Sequence, residues 1–300
     1  MKINTYMSIT TLYLVVMALV IFVSFPGPAI SGMDTPGPRL LWQTEPLLEI
    51  PESVLYDAQR HIIYVSNISG SPTDKNGRGF ISKLSPEGSV ISLKWVTGLN
   101  APKGSGVAGD TLYVADIDNV VKIDIETGRI TARHHVEKAE FLNDIAVDSS
   151  GTVYISDMSA ATSAIYRLKD GRLDVWLTDP EILRPNGLLV VGDRLVVGNS
   201  GDGTLKAVHI PSRRIERIAV IGSGIDGIAL DGQGNYIISD WKGKTSRVTP
   251  SGDITVLLDT TEEKIQAADI TVISDRDILL IPTFFDNRVM AYSLTGPSPQ

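Results

Sequence analysis

The chain contains no cysteine in 300 residues. Disulfides, thiolate nucleophiles and thiolate metal sites are therefore excluded. Histidine is scarce, with four residues, so an imidazole-rich metal site has little material to draw on. Positive charge is in deficit: 27 Lys and Arg face 35 Asp and Glu, a formal net charge of -8, with a pI near 5.0. Nucleic acid is an unsuitable partner for such a surface, because neutralising phosphates needs a basic face. No G-x-S-x-G occurs, so a serine-hydrolase elbow is not supported. After the N-terminal stretch no segment sustains a 3.6-residue apolar period, and at most one helical turn is expected, at residues 261–268.

The first thirty-one residues are of a different kind. Lys2 is the sole charge before Asp34, an apolar run spans residues 12–25, and Pro26, Gly27 and Pro28 break it. Ala29 and Ser31 then offer a small-x-small cleavage site, so residues 1–31 read as a secretory signal peptide. The apolar run is short for a full bilayer span, and membrane association is expected only through an uncleaved signal. The body, residues 32–300, is expected to be one domain, secreted or periplasmic.

What is present is one short phrase written six times. IYVSN ends at Asn67, LYVAD at Asp116, VYISD at Asp157, LVVGN at Asn199, YIISD at Asp240 and LLIPT at Thr283. The steps between these ends are 49, 41, 42, 41 and 43 residues. Apolar strands repeated at about 40–50 residues predict a β-propeller. Turn residues between alternating segments, such as Ser149-Ser150-Gly151 and Asp170-Gly171, divide each repeat into a four-stranded antiparallel meander. The expectation is an all-β, six-bladed propeller with blades at roughly 51–100, 101–140, 141–183, 184–223, 224–263 and 264–294. The segment LLWQTEPLLEI, residues 40–50, has no phrase of its own and is expected to close the last blade as its outer strand. The first repeat carries a polar, turn-rich insertion at residues 69–79, either a lid over the channel or a neutral surface loop.

A propeller gathers the same position of every blade around one axis. Thirteen to fifteen residues before each phrase end stand Glu52, Lys103, Asn143, Asn186, Asp226 and Asp269, expected at the channel rim just before each innermost strand. Taken singly, each Asn or Asp reads as a turn cap. Together with Glu52 they form a ring of oxygen donors, which suits a hard cation such as Ca²⁺, whereas Zn²⁺ would call for His or Cys. Lys103 is read as a contact to an anionic substrate group or as neutralising the acidic rim. Asp269 is read as a substrate-pocket residue, a partner behind the site, or a turn residue. The phrase-end residues are expected to be structural, bonding backbone where the second strand meets its turn. Asn67-Ile68-Ser69 is formally a glycosylation sequon, but it lies against the body of blade one.

The strings PESVLYD with IYVSN, FLNDIAVDSSGTVYISD, RPNGLLV and IDGIALDGQGNYIISD carry a resemblance. The chain resembles the SMP-30/gluconolactonase/LRE-like family from about residue 40 to 294, a family similar at this site to the paraoxonases and the squid-type phosphotriesterase. The resemblance implies a divalent ion, usually calcium with Zn²⁺, Mn²⁺ or Mg²⁺ as alternatives, held by Glu52, Asn186 and Asp226. Asn143 would be a further ligand or a substrate contact. It implies hydrolysis of a lactone or related ester, with Asp226 as base or nucleophile. The arginine that often precedes the blade-three asparagine in sugar-lactone members is absent, since Phe141 and Leu142 stand there. The chain also resembles NHL-type repeats, which leaves a non-catalytic propeller binding a small ligand or protein partner as the second reading. A strictosidine-synthase-like condensation finds no glutamate at the later rim positions. GSGVAG (104–109) and GSGIDG (222–227) fit the dinucleotide fingerprint but lead into strands, where no helix N-terminus can hold a pyrophosphate.

Overall fold

The computed structural model describes residues 37–295; the expected signal peptide lies outside the described residues. These residues form six four-stranded antiparallel sheets, arranged as the blades of a propeller. Five blades run in sequence order from innermost to outermost strand. The sixth runs Thr271–Ile273, Ile278–Pro282, Val289–Ser293 and then Arg39–Gln43. The N-terminal strand thus pairs antiparallel with the C-terminal one, Arg39 opposite Ser293 and Gln43 opposite Met290. This closure is the one expected from the sequence, and it covers the edge that an open last blade would leave.

The repeated phrases are the second strands, Ile62–Asn67, Thr111–Asp116, Val153–Asp157, Arg194–Asn199, Tyr236–Asp240 and Ile278–Pro282. They are rich in Val, Ile and Tyr, which fit a pleated surface. Nearly every residue in them is buried, because both faces pack against neighbouring blades. The core is therefore a ring of inter-blade clusters. Ala115 and Val120 of blade two meet Leu142 and Ile155 of blade three, and Leu280 and Val289 of blade six meet Val54 and Ile63 of blade one.

Residues 261–264 form a hydrogen-bonded turn, within the limit of at most one helical turn expected there. A short 3₁₀ turn occurs at Phe284–Asp286. Among the described residues no helix is long and apolar enough to cross a membrane.

Candidate functional site

Four of the six innermost strands begin with the same device. Pro51 pairs with Asn67, Pro102 with Asp116, Leu142 with Asp157 and Pro185 with Asn199, and in every case the register shifts immediately afterwards. Such a bulge leaves the next residue out of the ladder and re-aims its side chain. That residue is Glu52, Lys103, Asn143 or Asn186, the second of its strand rather than one before it. Asp226 precedes the short strand Ile228–Leu230. The backbone feeding two of the bulges is strained: Ile50 and Arg184 hold φ of 54° and 50°, in the left-handed region and directly before proline.

The phrase-end side chains fix these approaches. Asp116 accepts the N–H groups of Asn100 and Ala101 at 3.0 and 2.8 Å. Asp157 accepts that of Phe141 at 3.2 Å, and Asn67 that of Glu49 at 3.1 Å. Asn67 is fully buried, so its sequon is inaccessible. Glycine follows several of the site residues because the strands converge at the axis: a Cβ on Gly187 would lie 2.5 Å from the Asp226 carbonyl oxygen. The glycines of the two dinucleotide-like strings serve this convergence or lead into strands, as their context implied.

Glu52, Lys103, Asn143, Asn186 and Asp226 line one cavity of about 300 Å³. All five are buried. Asn186 Nδ2 donates to Asp226 Oδ1 at 2.8 Å. Three buried oxygens in this cavity have no hydrogen-bond partner: Glu52 Oε2, Asn143 Oδ1 and Asn186 Oδ1. Buried polar atoms are rarely left so, and each orphan calls for an explanation. A carboxylate oxygen and two amide carbonyl oxygens beside the Asp226 carboxylate form the hard, mixed-charge donor set that oxygen-loving divalent cations take. Among the described residues no three His, Asp or Glu side chains gather closely enough to hold an ion unaided. The amide oxygens would have to complete any such shell.

Burial dominates the electrostatics. It pushes the Asp226 carboxyl up to about 7, against the Asn186 hydrogen bond and with the charge of Asp240 adding to the rise. Glu52 rises well above the usual carboxylate range, first through burial and then through the charge of Asp226, while Lys103 pulls it back. Burial brings Lys103 down to about 8, opposed by Glu52 and Asp116. The Lys103 ammonium donates to Pro72 O at 2.9 Å and Ala101 O at 3.0 Å, and its charge lies 4.5 Å from the Phe141 ring centroid. Pro72 belongs to the 69–79 insertion and lines the cavity. The insertion is therefore part of the cavity wall, held there by Lys103 and by a Lys75–Asp118 ion pair at 2.5 Å.

Asp269 is not brought into this cavity. It lines a second one at the other side of the ring, of about 360 Å³, where Ser53 Oγ donates to its Oδ2 at 2.6 Å. Asp144 lines that second cavity too. Asp144 is buried and its carboxyl is pushed up to about 7, chiefly by burial. It accepts the N–H groups of Leu188 and Ile145, both at 2.6 Å, and so ties blade three to blade four.

The cavity walls were also missed. Ile68, Met158, Ser200, Trp241 and Phe284 line it, and each directly follows a phrase end. The same ruler, read one residue past each phrase end, reaches them. Trp241, Phe284 and Phe285 form an edge-to-face trio, with ring centroids 4.8 to 6.0 Å apart.

The SMP-30/Gluconolactonase/LRE-like region model matches residues 50–281. No curated protein sequence matches the chain. Among solved structures, a protein provisionally described as a gluconolactonase superposes with a TM-score of 0.63 at 16% identity, over 86% of this chain and 91% of that one. Virginiamycin B lyase from Staphylococcus aureus, an inactive variant with quinupristin, gives 0.58 at 12% identity over 81% and 94%. A chain of the nidogen/laminin complex gives 0.59 at 16% over 74% and 88%. Identities this low establish a shared fold alone. The family match spans most of the chain and every residue of the cavity's polar floor, and by it the chain belongs to the SMP-30/gluconolactonase/LRE-like family.

Proposed function

We propose that this protein is a divalent-cation-dependent hydrolase that opens a lactone or a related ester in the cavity floored by Glu52, Asn143, Asn186 and Asp226. The observation that carries the reading is the set of three orphaned buried oxygens beside the Asp226 carboxylate. These four residues would hold the ion. Calcium suits their mixture of charged and neutral oxygens, with Mg²⁺, Mn²⁺ and Zn²⁺ as competitors for the same donors. When bound, the ion supplies Lewis-acid polarisation of the reacting carbonyl.

The chain supplies the rest. Asn186 holds Asp226 Oδ1 and so orients the carboxylate, leaving Oδ2 to take a proton from the attacking water. The water oxygen bonds to the carbonyl carbon, the ring C–O bond breaks, and the proton held by Asp226 passes to the departing alkoxide. The Lys103 ammonium beside Glu52 offsets part of the buried negative charge. The proposal keeps the small-molecule substrate and the extracytoplasmic location expected from the sequence of residues 1–31.

The test is a panel of lactones, aryl esters and phosphotriesters assayed with calcium and with EDTA. Turnover of at least one lactone or aryl ester, abolished by EDTA and restored by calcium, is expected. Turnover of none by the calcium-loaded protein would overturn the reading in favour of a non-catalytic binding propeller.

A further inference from the structure

The polar groups of the cavity are confined to its floor. Its walls are apolar: Ile68, Phe141, Met158, Trp241, Phe284 and Phe285 face one another above the site. The lining carries few polar side chains, and the donors on the floor are already partly engaged. Lys103 Nζ serves two backbone carbonyls, Asn186 Nδ2 serves Asp226, and Asn143 Nδ2 points at Met158 Sδ, 3.6 Å away. Ser200 is the one hydroxyl-bearing side chain on the lining. With the floor oxygens committed to an ion, a polyhydroxylated ring seated against these walls would desolvate hydroxyls for which the walls offer few partners, at a cost in free energy.

The turn that carries two of the three rings, Phe284 and Phe285, is braced by the chain itself. Phe284 holds φ of 51°, an unfavourable value for a bulky residue, and Asn287 closes the turn at φ of 59°, which asparagine tolerates. The turn is retained because Asn287 Oδ1 accepts the Ile50 N–H at 2.9 Å, Thr283 Oγ1 bonds Arg288 at both its N and O, and Arg288 pairs with Asp286 at 2.6 Å. The result ties the aromatic turn of blade six to the strained approach to Glu52. Yet Trp241 and Phe285 remain 41% and 61% exposed at the mouth. Uncovered aromatic surface converging on a site is suited to an apolar ligand group.

We infer that the cavity takes an ester or lactone bearing an alkyl or aryl substituent, seated on Trp241, Phe284 and Phe285, in preference to a polyhydroxylated sugar lactone. The reacting group rests on the hydrolase reading above; the apolar substituent rests on the aromatic wall. Trp241 and Phe285 are then the specificity-determining residues of the mouth.

The test compares kcat/KM for γ-lactones carrying methyl, butyl and hexyl substituents, and for gluconolactone, in the calcium-loaded protein. The hexyl compound should exceed the methyl compound by about tenfold or more, the scale on which an apolar pocket reads added methylenes. Trp241→Ala and Phe285→Ala should each lower the hexyl-to-methyl ratio by about fivefold, mainly through KM. Both side chains are partly exposed, so the variants should fold, and thermal melting verifies it. Gluconolactone turned over as well as the hexyl lactone, or a ratio unmoved by both substitutions, overturns the inference while leaving the hydrolase reading intact. If no lactone is turned over, calorimetry with the hexyl-substituted γ-lactam decides: binding that weakens in both variants upholds the apolar site although hydrolysis has failed, and no binding overturns it.

Discussion

Asp226→Asn should lower kcat/KM for the best lactone or ester by about a thousandfold, within the range that a positioned general base contributes. The substitution keeps the shape of the side chain and a carbonyl oxygen for the Asn186 amide to bond. It removes the two things asparagine cannot supply, a group that takes up a proton and one of the two carboxylate charges of the floor. A merely structural Asp226 would give the opposite pattern, a fall in melting temperature with little loss of rate per folded molecule. Here the ion-free variant should melt above the wild type at pH 8, because a buried carboxylate that resists ionisation is replaced by a neutral amide. Measuring kcat/KM and Tm on the same preparations separates the two accounts.

The ion-free protein should also be less stable at pH 8 than at pH 5. Four buried carboxyls, Glu52, Asp144, Asp226 and Asp269, all have pKa values raised by burial. A raised carboxyl contributes stability that is fully present below its unfolded value and is lost as pH rises through its folded value. For Asp144 and Asp226 that window runs from 3.8 to about 7, and Glu52 and Asp269 extend it upward. Each pKa unit corresponds to about 1.4 kcal/mol, so the loss is on the order of several kcal/mol against a domain stability of roughly 5–15. Lys103, brought down to about 8, works in the opposite sense only above that pH. Calcium at a hundred times its Kd should restore about 2.7 kcal/mol, or roughly 5–10 °C in Tm for a domain of this size. Melting curves at pH 5 and 8, with EDTA and with calcium, carry the test; equal Tm at both pH values and no calcium shift would contradict it.

Much of this site was legible because a propeller converts sequence period into geometry. The phrase ends at Asn67, Asp116, Asp157 and Asn199 mark second strands, and pairing at the bulges carries each of them to the first residue of its blade. Counting back therefore found Glu52, Lys103, Asn143, Asn186 and Asp226, which line one cavity. The same count placed Asp269 with them, but its pairing differs. Asp269 donates its N–H to Glu52 O at 2.9 Å, and its neighbour Ser53 of blade one captures its carboxylate. That inter-blade bridge turns Asp269 toward the second cavity, and nothing in the spacing distinguishes it. The reach of Lys103 to Pro72 was hidden because it depends on how a polar insertion folds back over 31 residues of sequence separation. The aromatic wall was accessible in principle, one residue beyond the phrase ends at Trp241 and Phe284. It reads in sequence as ordinary core, and only the exposure of Trp241 and Phe285 marks it as a mouth.

The central claim is that the orphaned oxygens of Glu52, Asn143 and Asn186, with the Asp226 carboxylate, form a cation site. Calorimetric titration of the purified, EDTA-stripped protein with calcium tests it most directly, alongside Asp226→Ala and Glu52→Gln. A single ion bound per chain, with binding lost or severely weakened in both variants, is the predicted result. Equally tight binding in all three proteins, or no binding to the wild type by calcium, magnesium, manganese or zinc, would contradict it.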